Sequence, residues 1–116
     1  MILTIWVPGK PVPKGRPRLT RGGHAYTPAR THQWESIVAS AGRDVMDGRP
    51  SLSGPVLLAA LFYGARANAD IDNLLKSVLD GLNGVVYEDD SQVQMLAAWR
   101  MKGEPHGVKV TVQAEG

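Results

Sequence analysis

The sequence predicts a single α+β domain in which two helices pack against a mixed β-sheet. The first observation is length, because 116 residues fit one domain of ordinary size. The second is periodicity: two segments repeat apolar residues at helical spacing, and four shorter segments have the composition of strands. These segments follow the order β-α-β-α-β-β without an internal repeat, so residues 1–116 are expected to form one domain.

The chain begins with a strand that leads into a long loop. Residues 2–7 form a β-rich run that ends at Pro8, which predicts a strand. Residues 8–27 contain so many prolines and glycines that a regular helix is excluded. A structureless loop of about 20 residues is uncommon in a compact domain, and such loops are usually functional.

A helix and a buried strand are predicted next. Thr27 as the N-cap and Pro28 at the first helical position form a helix start signal. Apolar residues at helical spacing, with Trp34 on the buried stripe, carry this helix to about Met46. Residues 55–63 are apolar on both faces, which predicts a central strand covered on two sides.

The second half contains another helix and two strands. The helix is predicted to start near Asp70 or Asp72 and to end at three residues, Gly81, Asn83 and Gly84. Residues 93–101 alternate apolar and polar side chains, which predicts a half-buried strand with Trp99 in the core. Residues 108–113 alternate in the same way and are expected to form the last strand of a hairpin.

The charge is distributed unevenly along the chain. The first 34 residues contain six basic and no acidic residues, whereas the remainder has a net charge of −4. A basic segment on an acidic body favours a polyanionic partner, for which nucleic acid is the usual candidate, although a solubilising loop would have the same composition. The candidate DNA contacts are Lys10, Lys14, Arg16, Arg18, Arg21 and Arg30.

Composition also excludes several classes of function. The chain contains no cysteine, so disulfides, thiolate catalysis and thiolate metal sites are excluded. The absence of cysteine is compatible with a reducing cytoplasm. It contains no apolar run of the roughly 18 residues that a membrane span requires, and its N-terminus lacks the pattern of a signal peptide. We therefore expect no membrane partner.

Two acidic clusters are the most informative chemical feature. Asp70 and Asp72 follow a buried strand at the head of a helix, and residues 88–90 (Glu-Asp-Asp) precede another strand. Two such junctions can meet at one end of a sheet, so we expect the clusters to converge. Carboxylate oxygens suit Mg²⁺, and Lys76, one turn after Asp72, could stabilise a phosphate or hold a carboxylate.

Structural roles for the same residues remain open. Asp70 or Asp72 could simply cap the helix. Asp72 and Lys76 could form a surface pair at i, i+4, and residues 88–90 could be a solvated turn. Other candidates are weaker: the three histidines have no metal-ligand spacing, Trp6 is ambiguous, and Tyr26 could stack on a base or pack on the helix start.

Together these residues resemble one known family. The segments Asp70–Lys76 (DIDNLLK), Asp80–Leu82 (DGL) and Asp89–Val93 (DDSQV) are similar to the RusA-type Holliday junction resolvases. Residues 9–18 (GKPVPKGRPR) and 26–28 (YTP) resemble the branch of that family carried by prophages and phages. The similarity covers nearly the whole chain, and only the combined pattern is specific.

The resemblance implies both an activity and a set of residues. Members act as homodimers that bind a four-way DNA junction and nick two strands symmetrically with Mg²⁺ or Mn²⁺, in recombination and repair. The essential carboxylates and metal ligands would be Asp70, Asp72 and Asp90, and the essential lysine would be Lys76. Asp90 is preferred to Asp89 because the second aspartate of the pair aligns with the catalytic position. The resemblance also implies a RusA-like fold and a bacterial or phage-encoded protein of the cytoplasm, at the nucleoid, without a small-molecule cofactor.

Two other classes of function compete with this one. A DNA-binding module without catalysis, or a nuclease without junction specificity, would share the basic loop. An intact set of acids argues against pure binding, which gains nothing from carboxylates near phosphate. A nucleotidyl or glycosyl transferase could use Asp-x-Asp to hold a metal-nucleotide, but the chain is small and has no phosphate-cradling glycine loop.

Overall fold

The computed structural model describes residues 1–115. This part of the chain contains two helices, six strands and a short 3₁₀ helix at residues 90–92. The helices and strands are β1 (Ile2–Pro8), β2 (Arg18–Leu19), β3 (Ala25–Tyr26), α1 (Ala29–Met46), β4 (Val56–Tyr63), α2 (Ile71–Leu82), β5 (Val93–Met101) and β6 (Gly107–Ala114). The predicted order of the main elements is confirmed. No helix among residues 1–115 combines the length and hydrophobicity needed to cross a membrane.

The main sheet is mixed, as the sequence predicts. Its four strands lie in the order β1-β6-β4-β5. Strand β6 is antiparallel to both β1 and β4, whereas β4 and β5 are parallel. Parallel neighbours need a crossover, and α2 supplies it by connecting the end of β4 to the start of β5.

The predicted final hairpin is wrong. Strands β5 and β6 are adjacent in sequence, but β4 lies between them in the sheet. Alternation of apolar and polar residues indicates which face of a strand is buried, and it does not identify the neighbouring strand. The position of β5 follows from the α2 crossover, and β6 fills the space between β1 and β4.

The core lies on one face of the sheet. Buried residues alternate along β1 and β4, and Trp34 of α1, 2% exposed, packs into the same core as predicted. The expectation that β4 is covered on both sides is wrong, because Ala59 is exposed on its other face. We call that face, with its neighbours on β5, the open face of the sheet.

Trp99 belongs to the open face and not to the core. Its side chain is 69% exposed, and Met95 on the same strand is 64% exposed, so their predicted burial is wrong. Trp99 lies opposite Leu61 and Met95 opposite Leu57 in the parallel pairing of β5 with β4. The physical reason is that β5 is an edge strand whose apolar stripe faces away from both helices.

The two helices approach each other closely at glycines. A Cβ atom on Gly81 would lie 2.7 Å from the Val38 side chain, and one on Gly42 would lie 2.9 Å from that of Leu82. Gly81 is thus a close-packing residue inside α2, and the prediction that it helps to end this helix is wrong. Helix α1 begins after Pro28 without a side-chain cap, so the predicted Thr27 cap is also absent from residues 1–115.

The basic loop is more ordered than its composition predicts. Strands β2 and β3, each two residues long, form a hairpin within residues 8–27. We call residues 8–27 the basic arm. The start of the arm is attached to both helices. Ser77 Oγ of α2 donates to the Val12 carbonyl at 2.7 Å, and the Gly15 amide donates to Thr31 Oγ1 of α1 at 3.1 Å.

Candidate active site

Asp70 and Asp72 line one open cleft at the carboxyl end of β4. Asp70 is the residue before α2, and Asp72 lies in the first turn of that helix. The cleft has a volume of about 550 Å³, and Asn68 and Arg100 also line it. The connector after β4 leads into α2, and Asp70 and Asp72 are both exposed at the mouth of the cleft.

Neither carboxylate makes an N-cap hydrogen bond to α2, which is one role that the sequence left open. Asp70 makes no side-chain capping bond to α2, and its Oδ2 accepts only a long bond of 3.4 Å from Asn73 Nδ2. Asp72 Oδ1 accepts from the neighbouring Asn73 amide at 3.0 Å. Neither forms an ion pair with a residue of the described chain, and the alternative surface pair of Asp72 with Lys76 is not made. Both carboxylates therefore retain free oxygen lone pairs towards the cleft.

Arg100 contributes a cation that sequence reasoning missed. It lies opposite Phe62 in the pairing of β5 with β4, which brings it beside the start of α2. Its Nη1 donates to the Arg66 carbonyl at 2.8 Å, which fixes one side of the guanidinium. Arg100 reaches the cleft because β5 pairs in parallel with β4. The sequence pattern predicts instead a hairpin of the last two strands, so it does not indicate this pairing.

Lys76 and Asp90 lie further along the polar face of α2. The ammonium of Lys76 is 2.7 Å from Asp80 Oδ1 and 3.6 Å from Asp90 Oδ2. The hydrogen bond to Asp80 raises the pKa of Lys76 above its usual range despite partial burial, and the charge of Asp90 adds to this effect. Lys76 is therefore a stable cation that faces two carboxylates.

Asp89 has a different role from its neighbour Asp90. Its Oδ2 accepts from the Ser91 amide at 3.0 Å, and Gln92 Oε1 accepts from the Asp89 amide at 3.0 Å, so the 3₁₀ helix begins with a capping box. The hydrogen bond from Ser91 lowers the pKa of Asp89. Asp89 is thus engaged in local structure, whereas Asp90 faces Lys76.

The two acidic clusters do not converge at one end of the sheet, and that expectation is wrong. Asp70 follows the end of β4, and Asp90 precedes the start of β5. Because these strands are parallel, the end of β4 and the start of β5 lie at opposite ends of the sheet, and α2 runs from one end towards the other. Among residues 1–115 no three histidine or acidic side chains lie together in a group that could hold a metal ion. Lys76 lies between the cleft and Asp90.

A chain of ion pairs continues from Lys76 to the basic arm. Asp80 Oδ2 lies 2.9 Å from the ammonium of Lys14, which is also 2.8 Å from Glu35 Oε2. We call Glu35, Lys14, Asp80, Lys76 and Asp90 the ion-pair chain. Burial of Asp80 acts to raise its pKa, but the hydrogen bonds and charges of both lysines lower it below the usual carboxyl range.

The predicted DNA contacts differ in their surroundings. Lys14 is the exception, because its ammonium is held between Glu35 and Asp80. The other five are exposed on or beside the basic arm: Lys10, Arg16, Arg18, Arg21 and Arg30. Tyr26, in β3 of the same arm, is also exposed. These side chains form an exposed basic surface, which favours contact with a polyanion.

The fold and site define the class of protein: a small α+β domain with an acidic cleft and a basic arm, a combination typical of nucleases. The chain belongs to the endodeoxyribonuclease RusA family, whose model matches residues 8–113. This is a family of endonucleases that resolve Holliday junctions, and membership indicates nuclease activity on DNA. The chain is also similar to "Uncharacterized protein YqaN" of Bacillus subtilis (strain 168), with 30% identity over 133 aligned residues, 90% of this chain and 91% of the relative.

Proposed function

We propose that this protein resolves four-way DNA junctions by metal-dependent, paired nicking of phosphodiester bonds. The observation that carries the proposal is the open cleft in which Asp70 and Asp72 retain free carboxylate oxygens beside Arg100. Because the chain belongs to a family of endodeoxyribonucleases, we assign the scissile phosphate to this cleft. The carboxylates would serve as metal ligands, and Arg100 as a phosphate contact.

The donor set of the cleft fits Mg²⁺, or Mn²⁺ in its place. These ions bind through one or two carboxylates and keep several waters, so Asp70 and Asp72 suffice for a hydrated ion. Asp90 is the proposed third ligand, but its carboxylate faces Lys76 in this structure. When bound, the ion would polarise the phosphate and lower the pKa of a water molecule.

The protein's own cations would complete the chemistry. The guanidinium of Arg100 has donors beyond the one used on the Arg66 carbonyl, and these suit a phosphate oxygen. We propose Lys76 as a catalytic residue whose ammonium stabilises negative charge that develops on the phosphate. Its raised pKa keeps it protonated at neutral pH.

The exposed cations of the basic arm, together with Arg30 at the start of α1, are the proposed contacts to the junction arms. They are Lys10, Arg16, Arg18, Arg21 and Arg30. Each cation that neutralises a phosphate releases a counterion, so binding should weaken steeply with salt. We propose that Lys14, given its two carboxylate partners, acts mainly within the fold.

We also propose that the active form is a homodimer. A four-way junction has two-fold symmetry, and a C₂ dimer would present two equivalent sites for its two nicks. The apolar open face around Trp99 and Met95 is a surface that a second copy could cover. An enzyme of this kind would act where recombining DNA is found, in the bacterial or phage-infected cytoplasm.

One observation favours a second candidate, a DNA-binding protein without catalysis. Among the described residues, no three acidic side chains lie together in a group that could hold a metal ion. A protein that only binds DNA would not need such a group. The two candidates make opposite predictions in a cleavage assay.

The test is incubation of the protein with a synthetic four-way junction and with a linear duplex of the same sequence, each with Mg²⁺, Mn²⁺ or EDTA. We expect paired nicks in the junction only when a metal is present, and little cleavage of the duplex. Equal cleavage of both substrates would overturn junction selectivity. Tight junction binding without cleavage in either metal would favour the binding module.

A further inference from the structure

Asp80 is shared by two lysines that come from different parts of the fold. Its Oδ1 lies 2.7 Å from the Lys76 ammonium, and its Oδ2 lies 2.9 Å from that of Lys14. Each carboxylate oxygen therefore has its own cation. This arrangement fixes the orientation of the carboxylate, because rotation would move at least one oxygen away from its partner.

The ion-pair chain is more buried at Glu35 and Asp80 than at Lys76. The side chain of Glu35 is 15% exposed and that of Asp80 is 22% exposed, whereas that of Lys76 is 50% exposed. Close charge pairs are screened less when they are partly buried. The more buried residues Glu35, Lys14 and Asp80 therefore hold one another in place, and Lys76 extends from Asp80 towards solvent and Asp90.

Lys14 is itself fixed from several sides. Its ammonium bonds to Glu35 of α1, and its backbone amide donates to the Asn73 carbonyl of α2 at 2.8 Å. Neighbouring Val12 accepts from Ser77 Oγ of α2. The Lys14 ammonium is consequently a fixed point charge that attracts one oxygen of Asp80.

A lysine without such support would be a poor catalytic group. Its ammonium is carried on a flexible four-carbon stem, and holding it in one position costs side-chain entropy. Catalysis depends on charge that is already in position when the transition state forms. Asp80 supplies the shortest contact to Lys76, shorter than that of Asp90.

We propose that Asp80 is a positioning residue that holds the Lys76 ammonium in place for phosphodiester cleavage, and that Lys14 and Glu35 hold Asp80 in turn. This inference rests on the proposed function, in which Lys76 acts on the phosphate. Asp80 itself touches no substrate, since both of its oxygens are taken by lysines.

The first test does not depend on activity. Reductive methylation followed by mass spectrometry would compare the labelling of Lys76 with that of exposed Lys102 in the same molecule. In Asp80→Asn we expect labelling of Lys76 to rise about threefold relative to Lys102, because the ammonium loses its charged partner. The matched control, Asp44→Asn on the exposed side of α1, should leave the ratio unchanged. An unchanged ratio in Asp80→Asn would overturn the inference even if the protein proved inactive.

The second test is a double-mutant cycle on junction cleavage under single-turnover conditions, at a temperature well below the unfolding midpoint of every variant. We expect Asp80→Asn to reduce the cleavage rate constant about tenfold with little change in junction Kd, and Asp80→Glu to restore part of the rate. In the Lys76→Ala background, the same substitution should change the rate less than about twofold.

The outcomes separate this inference from the proposed function. A purely structural role for Asp80 predicts equal losses with and without Lys76, which would overturn the inference while leaving cleavage intact. No rate loss in Asp80→Asn would also overturn it. If the wild-type protein binds junctions without cutting them, the proposed function fails, and the labelling ratio still decides whether Asp80 holds Lys76.

Discussion

Two adjacent aspartates have different surroundings, and this difference supports the proposal that Asp90 and not Asp89 takes part in the chemistry. Asp89 caps the 3₁₀ helix through the Ser91 amide, whereas Asp90 turns towards Lys76. The preference for Asp90 came from a family resemblance, and the local hydrogen bonds now give it a physical reason. A carboxylate that caps backbone amides has fewer lone pairs for another ligand.

We expect Asp90→Asn to reduce junction cleavage by about 100-fold or more, because it removes a negative charge from the proposed site. Asp89→Asn should retain most of the activity, since an asparagine oxygen can still accept from the Ser91 amide. Cleavage rates at saturating enzyme would measure both. A loss confined to Asp89→Asn would reverse the assignment of the third carboxylate.

The partner of Lys76 could not be predicted from sequence. Asp72 and Asp80 both lie four residues from Lys76, and an acid on the N-terminal side is normally the better helix partner. The structure selects Asp80, because Lys14 of the basic arm fixes that carboxylate from the other side. The types and positions of Asp70, Asp72 and Lys76 were evident from the sequence, whereas their partners depended on contacts across the fold.

At the scale of elements, the ion-pair chain joins α1, α2 and the basic arm. Partial burial acts to lower the pKa of Lys14, but Glu35 and Asp80 raise it above the unperturbed 10.5. The two lysines lower the pKa of Asp80 below the unperturbed 3.8. The chain therefore stabilises the fold when its acids and lysines are all charged.

A pH dependence of stability follows. The contribution of Asp80 should be complete above pH 3.8, the unperturbed value, and should be lost as the pH falls through the lower pKa of the folded state. The contribution of the lysines should be present below pH 10.5 and lost as the pH rises through their higher folded values. Thermal unfolding of the wild type and of Asp80→Asn should differ most between these limits. A difference that persists undiminished at both extremes would contradict the assignment.

The basic arm is the element expected to contact DNA backbone. Replacing Arg16 and Arg18 with alanine should weaken junction binding and reduce the slope of log K against log salt by about two. The control replaces two exposed cations outside the arm, Arg43 and Lys109, and should change the slope less. Fluorescence anisotropy over a range of salt concentrations would measure both. An unchanged slope in the arm variant would make the arm a solubilising loop.

The positions of the two helices and of the four strands of the main sheet followed from periodicity, but strand neighbours did not. Apolar alternation in β5 correctly indicated a strand, yet its apolar stripe lies on the open face and not in the core. Whether a stripe is buried depends on which elements cover it. The sequence of a single strand contains no information about that cover, and the misplacement of Trp99 and of the final hairpin has this common cause.

At the scale of the whole molecule, the open face of the sheet exposes large apolar side chains to solvent. It carries Trp99 and Met95 on edge strand β5, where a monomer would leave both side chains in water. Exposed apolar patches next to an unpaired strand edge favour association with another protein surface. A second copy of this chain is the occupant required by the proposed homodimer.

We expect the protein to elute in size-exclusion chromatography with light scattering at twice the 12.5 kDa of the chain. Trp99→Ser should shift it towards the monomer, because it removes a large apolar contact from the interface. Leu19→Ser, at a position 71% exposed on the basic arm, is the matched control and should remain dimeric. A monomeric wild type would contradict the homodimer, and a dimeric Trp99→Ser would move the interface elsewhere.

The cleft of Asp70 and Asp72 is the proposed site of four-way junction cleavage. The most direct measurement follows nicking of a synthetic junction by the wild type and by Asp70→Asn, with Mg²⁺ or EDTA, alongside junction binding by gel shift. We predict paired nicks by the wild type with Mg²⁺ alone, and loss of nicking with retained binding in Asp70→Asn. Cleavage that survives both Asp70→Asn and Asp72→Asn would contradict the account.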